Sequence, residues 1–270
     1  MSYDAESRPS ASPPAASPPP GSPAPEPPYY REAPVMFTLS VLAVALYAAV
    51  RYASGGLPLD AALARWGWGF TPYFWRGQVW RLFVNTLHHG SPLHLIFNLL
   101  WLFILGRVFE RELGSWRTLG FVILAAGLSG VACEVTFESG AIGLSGLLYA
   151  LFGYMFVRRK QAPAFGELLT PSIQQALWAW LFICIALTYF NLWPIANVGH
   201  FSGLAVGLGS GWVDLQAAKR RWLLPVGAVV GVLALGLGLL YVWRPTLNPA
   251  WRAWRATAAA GTTAMGDADG

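Results

Sequence analysis

The chain has 270 residues, of which 55% are hydrophobic and 11% charged, and its mean hydropathy is +0.46. Soluble domains carry about 25% charged residues, so this composition excludes an ordinary water-solvated fold and makes lipid the main solvent. The net charge of +5 does not point to nucleic acid, because the basic residues fall in short clusters between apolar runs and form no basic face or tail.

Residues 1–33 read as a disordered Pro-rich tail. Ten of the 20 prolines precede Tyr29, mixed with Ser and Ala, and such a segment buries too little apolar surface to fold. The first membrane helix is expected over Pro34–Val50, with Pro34 suited to the first helical position. No apolar run precedes it, so no cleavable signal peptide is expected. Residues 54–92 are too interrupted to span. Their Trp66, Trp68, Trp75 and Trp80 suggest a loop in the membrane interface, with a short amphipathic helix around Leu59–Trp66.

Further helices are expected over His94–Phe109, ended by Glu110-Arg111-Glu112, then Leu119–Val135, Gly143–Val157, Pro171–Leu192, ended by Trp193-Pro194, and His200–Val213. A basic linker and a seventh transmembrane helix, Leu223–Val242, occupy 218–243, and 244–270 form a polar tail. The fold class is therefore an all-α polytopic membrane protein. Cys133 and Cys184 lie within apolar runs and read as small buried hydrophobes.

Charge sets an expected orientation. Arg107, Arg111 and Arg117, then Arg158, Arg159 and Lys160, then Lys219, Arg220 and Arg221 follow the second, fourth and sixth helices, whereas loops 136–142 and 193–199 have no Lys or Arg. The positive-inside rule puts the basic connections and the N-terminus in the cytoplasm. The second, fourth and sixth helices then all begin at the outer level, with His94, Asn98, Ser145 and His200 near their starts.

All four histidines, His88, His89, His94 and His200, fall at this level. His88 and His89 precede their helix and read as hydrated headgroup residues. His94 and His200 each open a long apolar run, and an ionisable residue there is a functional hypothesis by default. In Gly143-Leu144-Ser145-Gly146 the serine is either packing filler or a nucleophile. Gly203, Gly207 and Gly211 recur every four residues and line one face of the sixth helix. Gly146, Ala150 and Gly153 offer a comparable face on the fourth, so close packing of the two would bring Ser145 and His200 together as a dyad in which imidazole activates the hydroxyl. Tyr149, one turn on, could stack on His200 or simply pack. No carboxylate is placed to orient the imidazole except Glu138, which reads as a solvated loop residue. His94 and Asn98, four apart on one face, can donate hydrogen bonds to an oxyanion together with the Ser145 amide, although an interhelical hydrogen bond also explains Asn98.

Competing intramembrane chemistries lack their signatures. There is no His-Glu-x-x-His for zinc, and Asp214 is the lone Asp of the helical region. A transporter would need membrane charges near the midplane.

The chain resembles the rhomboid family of intramembrane serine proteases. The matching residues are Trp80-Arg81, His94-x-x-x-Asn98, Glu110-x-x-Leu113-Gly114, Gly143-Leu144-Ser145-Gly146 with Tyr149, and Gly199-His200 with Ser202-Gly203 through Gly207. They cover about residues 78–217. The resemblance implies a six-helix core within 34–217 plus the C-terminal helix, with a short central fourth helix. It implies Ser145 as nucleophile, His200 as base, and His94, Asn98 and the Ser145 amide as oxyanion stabilisers. Substrates would be single-pass membrane proteins cut in or near their transmembrane segments, without metal, ATP or other cofactor. Trp80-Arg81 would brace loop 54–92, and 193–199 would act as a lid. The expected location is a bacterial inner membrane, with the active site near the outer face. A catalytically silent relative that retains membrane clients is the alternative, against which the presence of both Ser145 and His200 speaks.

Overall fold

The computed structural model describes residues 27–53, 55–68, 78, 80–136 and 141–217, with the helical residues Gly227, Val230, Gly231 and Ala234. All regular structure among them is helical. In chain order the helices are α1 (Tyr29–Glu32), α2 (Pro34–Tyr52), α3 (Leu59–Arg65), α4 (Arg81–Leu87), α5 (Pro92–Leu113), α6 (Ser115–Val135), α7 (Ser145–Arg158), α8 (Pro163–Leu168), α9 (Pro171–Tyr189) and α10 (Asn197–Ala217).

The helix starts are legible in the residues. Pro occupies the first turn of α2, α5, α8 and α9, where its missing N–H costs nothing and its φ is already helical. Ser91 Oγ caps α5 by accepting from the His94 N–H at 3.2 Å, and Thr170 Oγ1 caps α9 from the Ile173 N–H at 3.4 Å. Between α5 and α6 stands the single residue Gly114, whose φ of +78° turns the chain where an L side chain would be strained.

Four helices are long and apolar enough to cross a membrane: α2, α5, α6 and α9. The chain is a multi-pass membrane protein. On α5, Leu93, Ile96, Phe97, Leu100 and Phe103 are exposed at helical spacing, an apolar stripe that in water would be the core side and here suits lipid. The expected count of six core helices plus one takes in two further elements. Helix α7 has 14 residues, about 21 Å of rise against a hydrocarbon layer of ~30 Å. Helix α10 has 21 residues but is diluted by five glycines and Asp214. The seventh helix lies outside the described residues except for the four helical ones, of which Gly227 sits against Val213 of α10 and Gly231 against Leu124 of α6.

Helix α7 is the centre, with every residue from Leu147 to Met155 buried. Helix α10 runs parallel to it at backbone contact: a Cβ on Gly203 would stand 2.0 Å from the Gly146 carbonyl oxygen, one on Gly207 2.0 Å from that of Ala150, and one on Gly211 2.9 Å from that of Tyr154. Only glycine permits this approach. Helix α6 runs antiparallel to both, with Ser129 beside Gly146 and Cys133 beside Gly199. Both cysteines are free and buried.

Several elements differ from the expectation. The second helix does not stop at Glu110. It continues to Leu113, and the Glu110 side chain turns inward, where its carboxylate accepts the Val35 N–H at 3.0 Å and the Met36 N–H at 2.9 Å. These are first-turn donors of α2 without intrahelical acceptors, and the anion also meets the positive end of that helix. A π turn at Leu102–Gly106 interrupts the middle of α5, and Met36 packs against Gly106 there. The tail expected to stay disordered to residue 33 is helical over Tyr29–Glu32: Glu32 pairs with Arg107 and Arg111, and the Tyr29 ring meets Phe103 edge-on at 5.0 Å. Residues 54–92 hold α4 as well as the expected short helix α3. Helix α8, six residues between α7 and α9, had no periodic signal to announce it.

Candidate active site

The loop into α7 is built around Gly143. Its φ of +106° favours glycine, and a Cβ there would also fall 2.7 Å from Cε1 and Nε2 of His94 and 3.5 Å from Nδ2 of Asn98. The Gly143 N–H donates to the Asn85 carbonyl at 3.2 Å, which fixes the loop to α4. The chain therefore enters α7 with its backbone pressed against His94 and Asn98, and Ser145 is the first residue of the helix. The first N–H groups of a helix lack intrahelical acceptors, and no side chain caps this one.

The glycine seam sets the partner. Gly199 and Gly203 hold the start of α10 against Gly146, which places His200 Nε2 2.8 Å from Ser145 Oγ. The other ring nitrogen, Nδ1, is buried without a hydrogen-bond partner among the described residues. Tyr149 packs its ring on His200 at 5.0 Å and 39°, while its hydroxyl donates to the Leu177 carbonyl of α9 at 3.1 Å. Tyr149 thus touches α10 with its ring and α9 with its hydroxyl. Asn98 is 3% exposed, and its Nδ2 also donates to the His94 carbonyl at 2.9 Å. A cavity of about 50 Å³ opens beside Ser145, lined among others by Asn85, Ser129, Cys133 and Glu134.

His88 and His89 are not hydrated headgroup residues. They are 0% and 1% exposed. His88 Nε2 meets the Trp66 carbonyl at 3.1 Å and ties the end of α4 to the end of α3. His89 Nδ1 meets the Leu87 carbonyl at 3.0 Å, and its ring lies edge-on to His94 with centroids 4.9 Å apart. Burial pushes His88 down to about 4 and His89 to about 3, so both are neutral at pH 7. Arg81 is also buried. Its Nε donates to Gln78 Oε1 at 2.7 Å, its guanidinium donates to the Trp68 carbonyl at 2.8 Å, and it lies over the Trp80 ring at 4.9 Å. The pair Trp80-Arg81 thus holds the α3 region to α4, and Trp75 lies outside the described residues.

One carboxylate beside the site belongs to no motif of the sequence. Glu134, 6% exposed in α6, lines the cavity beside Ser145; its position near the end of an apolar run was the available signal. Glu110 sits in a charged triplet, which in sequence marks a helix end, yet it is 1% exposed within α5. Glu138 lies outside the described residues. Asp214, at the far end of α10, takes hydrogen bonds from Tyr154 Oη and, at 2.9 Å, from Arg117, with Arg158 at 3.7 Å. Ser202 donates to the Val198 carbonyl of its own helix at 2.7 Å. Among the described residues no three His, Cys, Asp or Glu side chains converge as a metal site requires.

Residues 76–217, just over half of the chain, match the family model of the rhomboid domain, and the chain belongs to the rhomboid family. That family is one of intramembrane serine proteases, and the match covers the stretch on which the sequence motifs lie.

Proposed function

We propose that the protein is an intramembrane serine endopeptidase that uses a Ser145–His200 dyad to cleave transmembrane segments of single-pass membrane proteins. The observation that carries the reading is the 2.8 Å contact between His200 Nε2 and Ser145 Oγ. As Oγ attacks the scissile carbonyl carbon, its proton passes to Nε2. The oxyanion that forms faces the His94 ring, Asn98 Nδ2 and the Ser145 N–H, donors that act at the moment charge develops. Collapse breaks the C–N bond, and the imidazolium returns its proton to the leaving amine. A water, deprotonated by the same ring, then hydrolyses the acyl-serine. Among the described residues His200 takes its support from the Tyr149 ring. Gly146, Gly203 and Gly207 contribute by holding the two helices at the separation the dyad needs.

The distribution of Arg and Lys supports an orientation with the N-terminus cytoplasmic and Ser145 near the outer face of a bacterial inner membrane. The chemistry asks for no cofactor. Labelling of the detergent-solubilised protein with a fluorophosphonate tests the reading. Wild type is expected to label, whereas Ser145→Ala and His200→Ala lose labelling and substrate cleavage by about 10³-fold or more. Turnover of a membrane substrate by Ser145→Ala at the wild-type rate ends the mechanism. A folded wild-type protein that neither labels nor cleaves supports a client-binding relative instead.

A further inference from the structure

His89 is an unexpected neighbour of the site. No hydrogen bond holds the His94 imidazole among the described residues. Its close neighbours are Gly143, which leaves room for Cε1 and Nε2 only because it lacks a Cβ, and the ring of His89, edge-on with centroids 4.9 Å apart and planes at 62°. His89 is itself fixed. A carbonyl oxygen only accepts, so the 3.0 Å contact with the Leu87 carbonyl requires the proton on Nδ1. Nε2 then carries a lone pair, buried and without a partner among the described residues. Turning the ring would break its one hydrogen bond, so a 1% exposed imidazole is locked against the His94 ring.

We infer that His89 is a positioning residue that fixes the plane of the His94 ring through this edge contact and so keeps His94 Nε2 beside Gly143 for the oxyanion. Edge-to-face ring pairs are specific in geometry, and a donor aimed at a developing charge is useful only when held there in advance. Loss of the contact frees the His94 ring to turn about its side-chain torsions without removing any group that touches substrate. The inference rests on the assignment of His94 as an oxyanion donor.

A double-mutant cycle with full-length protein in proteoliposomes, read as kcat and KM for cleavage of a transmembrane peptide, tests it. His89→Ala is expected to lower kcat about tenfold, the scale of a small misplacement of a reacting group, with KM changed less than about twofold. His89→Phe, which keeps a ring edge, is expected to restore kcat to within about threefold of wild type. In a His94→Ala background, His89→Ala is expected to cost less than about a further twofold, because its effect passes through His94. An equal loss in both backgrounds, or a loss confined to KM, overturns the inference. If His89→Ala does not fold, His89→Leu takes its place in the cycle. Ser145→Ala in the same assay separates the two readings. Full cleavage by that variant removes the protease reading and this inference with it, whereas an inactive Ser145→Ala beside an additive cycle removes only the role of His89.

Discussion

The two ends of the α7–α10 seam share one backbone geometry and differ in how they are closed. At the Asp214 end, the carboxylate joins Tyr154 of α7, Arg117 of α6 and Arg158 of α7, and charge-assisted bonds saturate it. At the Ser145 end, the described contacts across the seam are the His200–Ser145 hydrogen bond and the Tyr149 ring on His200, beside a cavity and an imidazole nitrogen without a hydrogen-bond partner among the described residues. Since both ends approach through glycine, the contrast lies in side chains alone. One end is cross-linked by charge, and the other leaves a cavity beside its hydroxyl and imidazole.

The seam itself carries the largest expected effect. Gly203→Leu puts a side chain where a Cβ alone would stand 2.0 Å from the Gly146 oxygen. Helices α7 and α10 must separate, at a cost of ~3 kcal/mol or more, and cleavage falls with stability. Unchanged thermal unfolding and cleavage in this variant would mean that the seam is misplaced. Asn98→Ala acts at the Ser145 end only. It is expected to lower kcat by about 10²-fold, with stability reduced by the loss of one buried hydrogen bond, ~1 kcal/mol, and a kinetic comparison with wild type checks the separation. Asp214→Asn acts at the other end. Removing the charge from its pairs should cost about 1–3 kcal/mol in unfolding, while kcat of the folded fraction stays within about threefold of wild type. A collapse of kcat there would show that the two ends are coupled.

The smallest effect is on pH dependence. His88, buried and pushed down to about 4, titrates near 6.5 in an unfolded chain. Between those values the unfolded state binds more protons, so this part of the stability is complete above about pH 6.5 and is lost as pH falls toward 4. Thermal unfolding at pH 7 and 5 should show the decline, and His88→Asn should lessen it, with the part due to the equally buried His89 remaining.

The residues that meet around Ser145 stand out in the sequence for a physical reason. In lipid an imidazole or an amide is costly, so His94, Asn98 and His200 stood out against their apolar neighbours, and glycines at a spacing of four marked the face where two backbones meet. What the sequence left ambiguous was charge that pairs out of sight. Glu110 looked like a helix end because its partners, the Val35 and Met36 N–H groups, are some 75 residues away. His88 and His89 looked hydrated because nothing local shows that carbonyls of Trp66 and Leu87 receive them in a closed loop.

By itself, then, the sequence determined the solvent, the order and approximate extent of the long helices, the glycine face and the residue types of the site, because composition and periodicity act locally. Only the tertiary structure decided that Nε2 of His200 reaches Ser145 Oγ, that Gly143 yields its Cβ space to His94, that Glu110 caps α2 and that His89 is buried against His94. Each of these is a contact that no local pattern records, and it exists only once the helices and loops that carry its residues have packed.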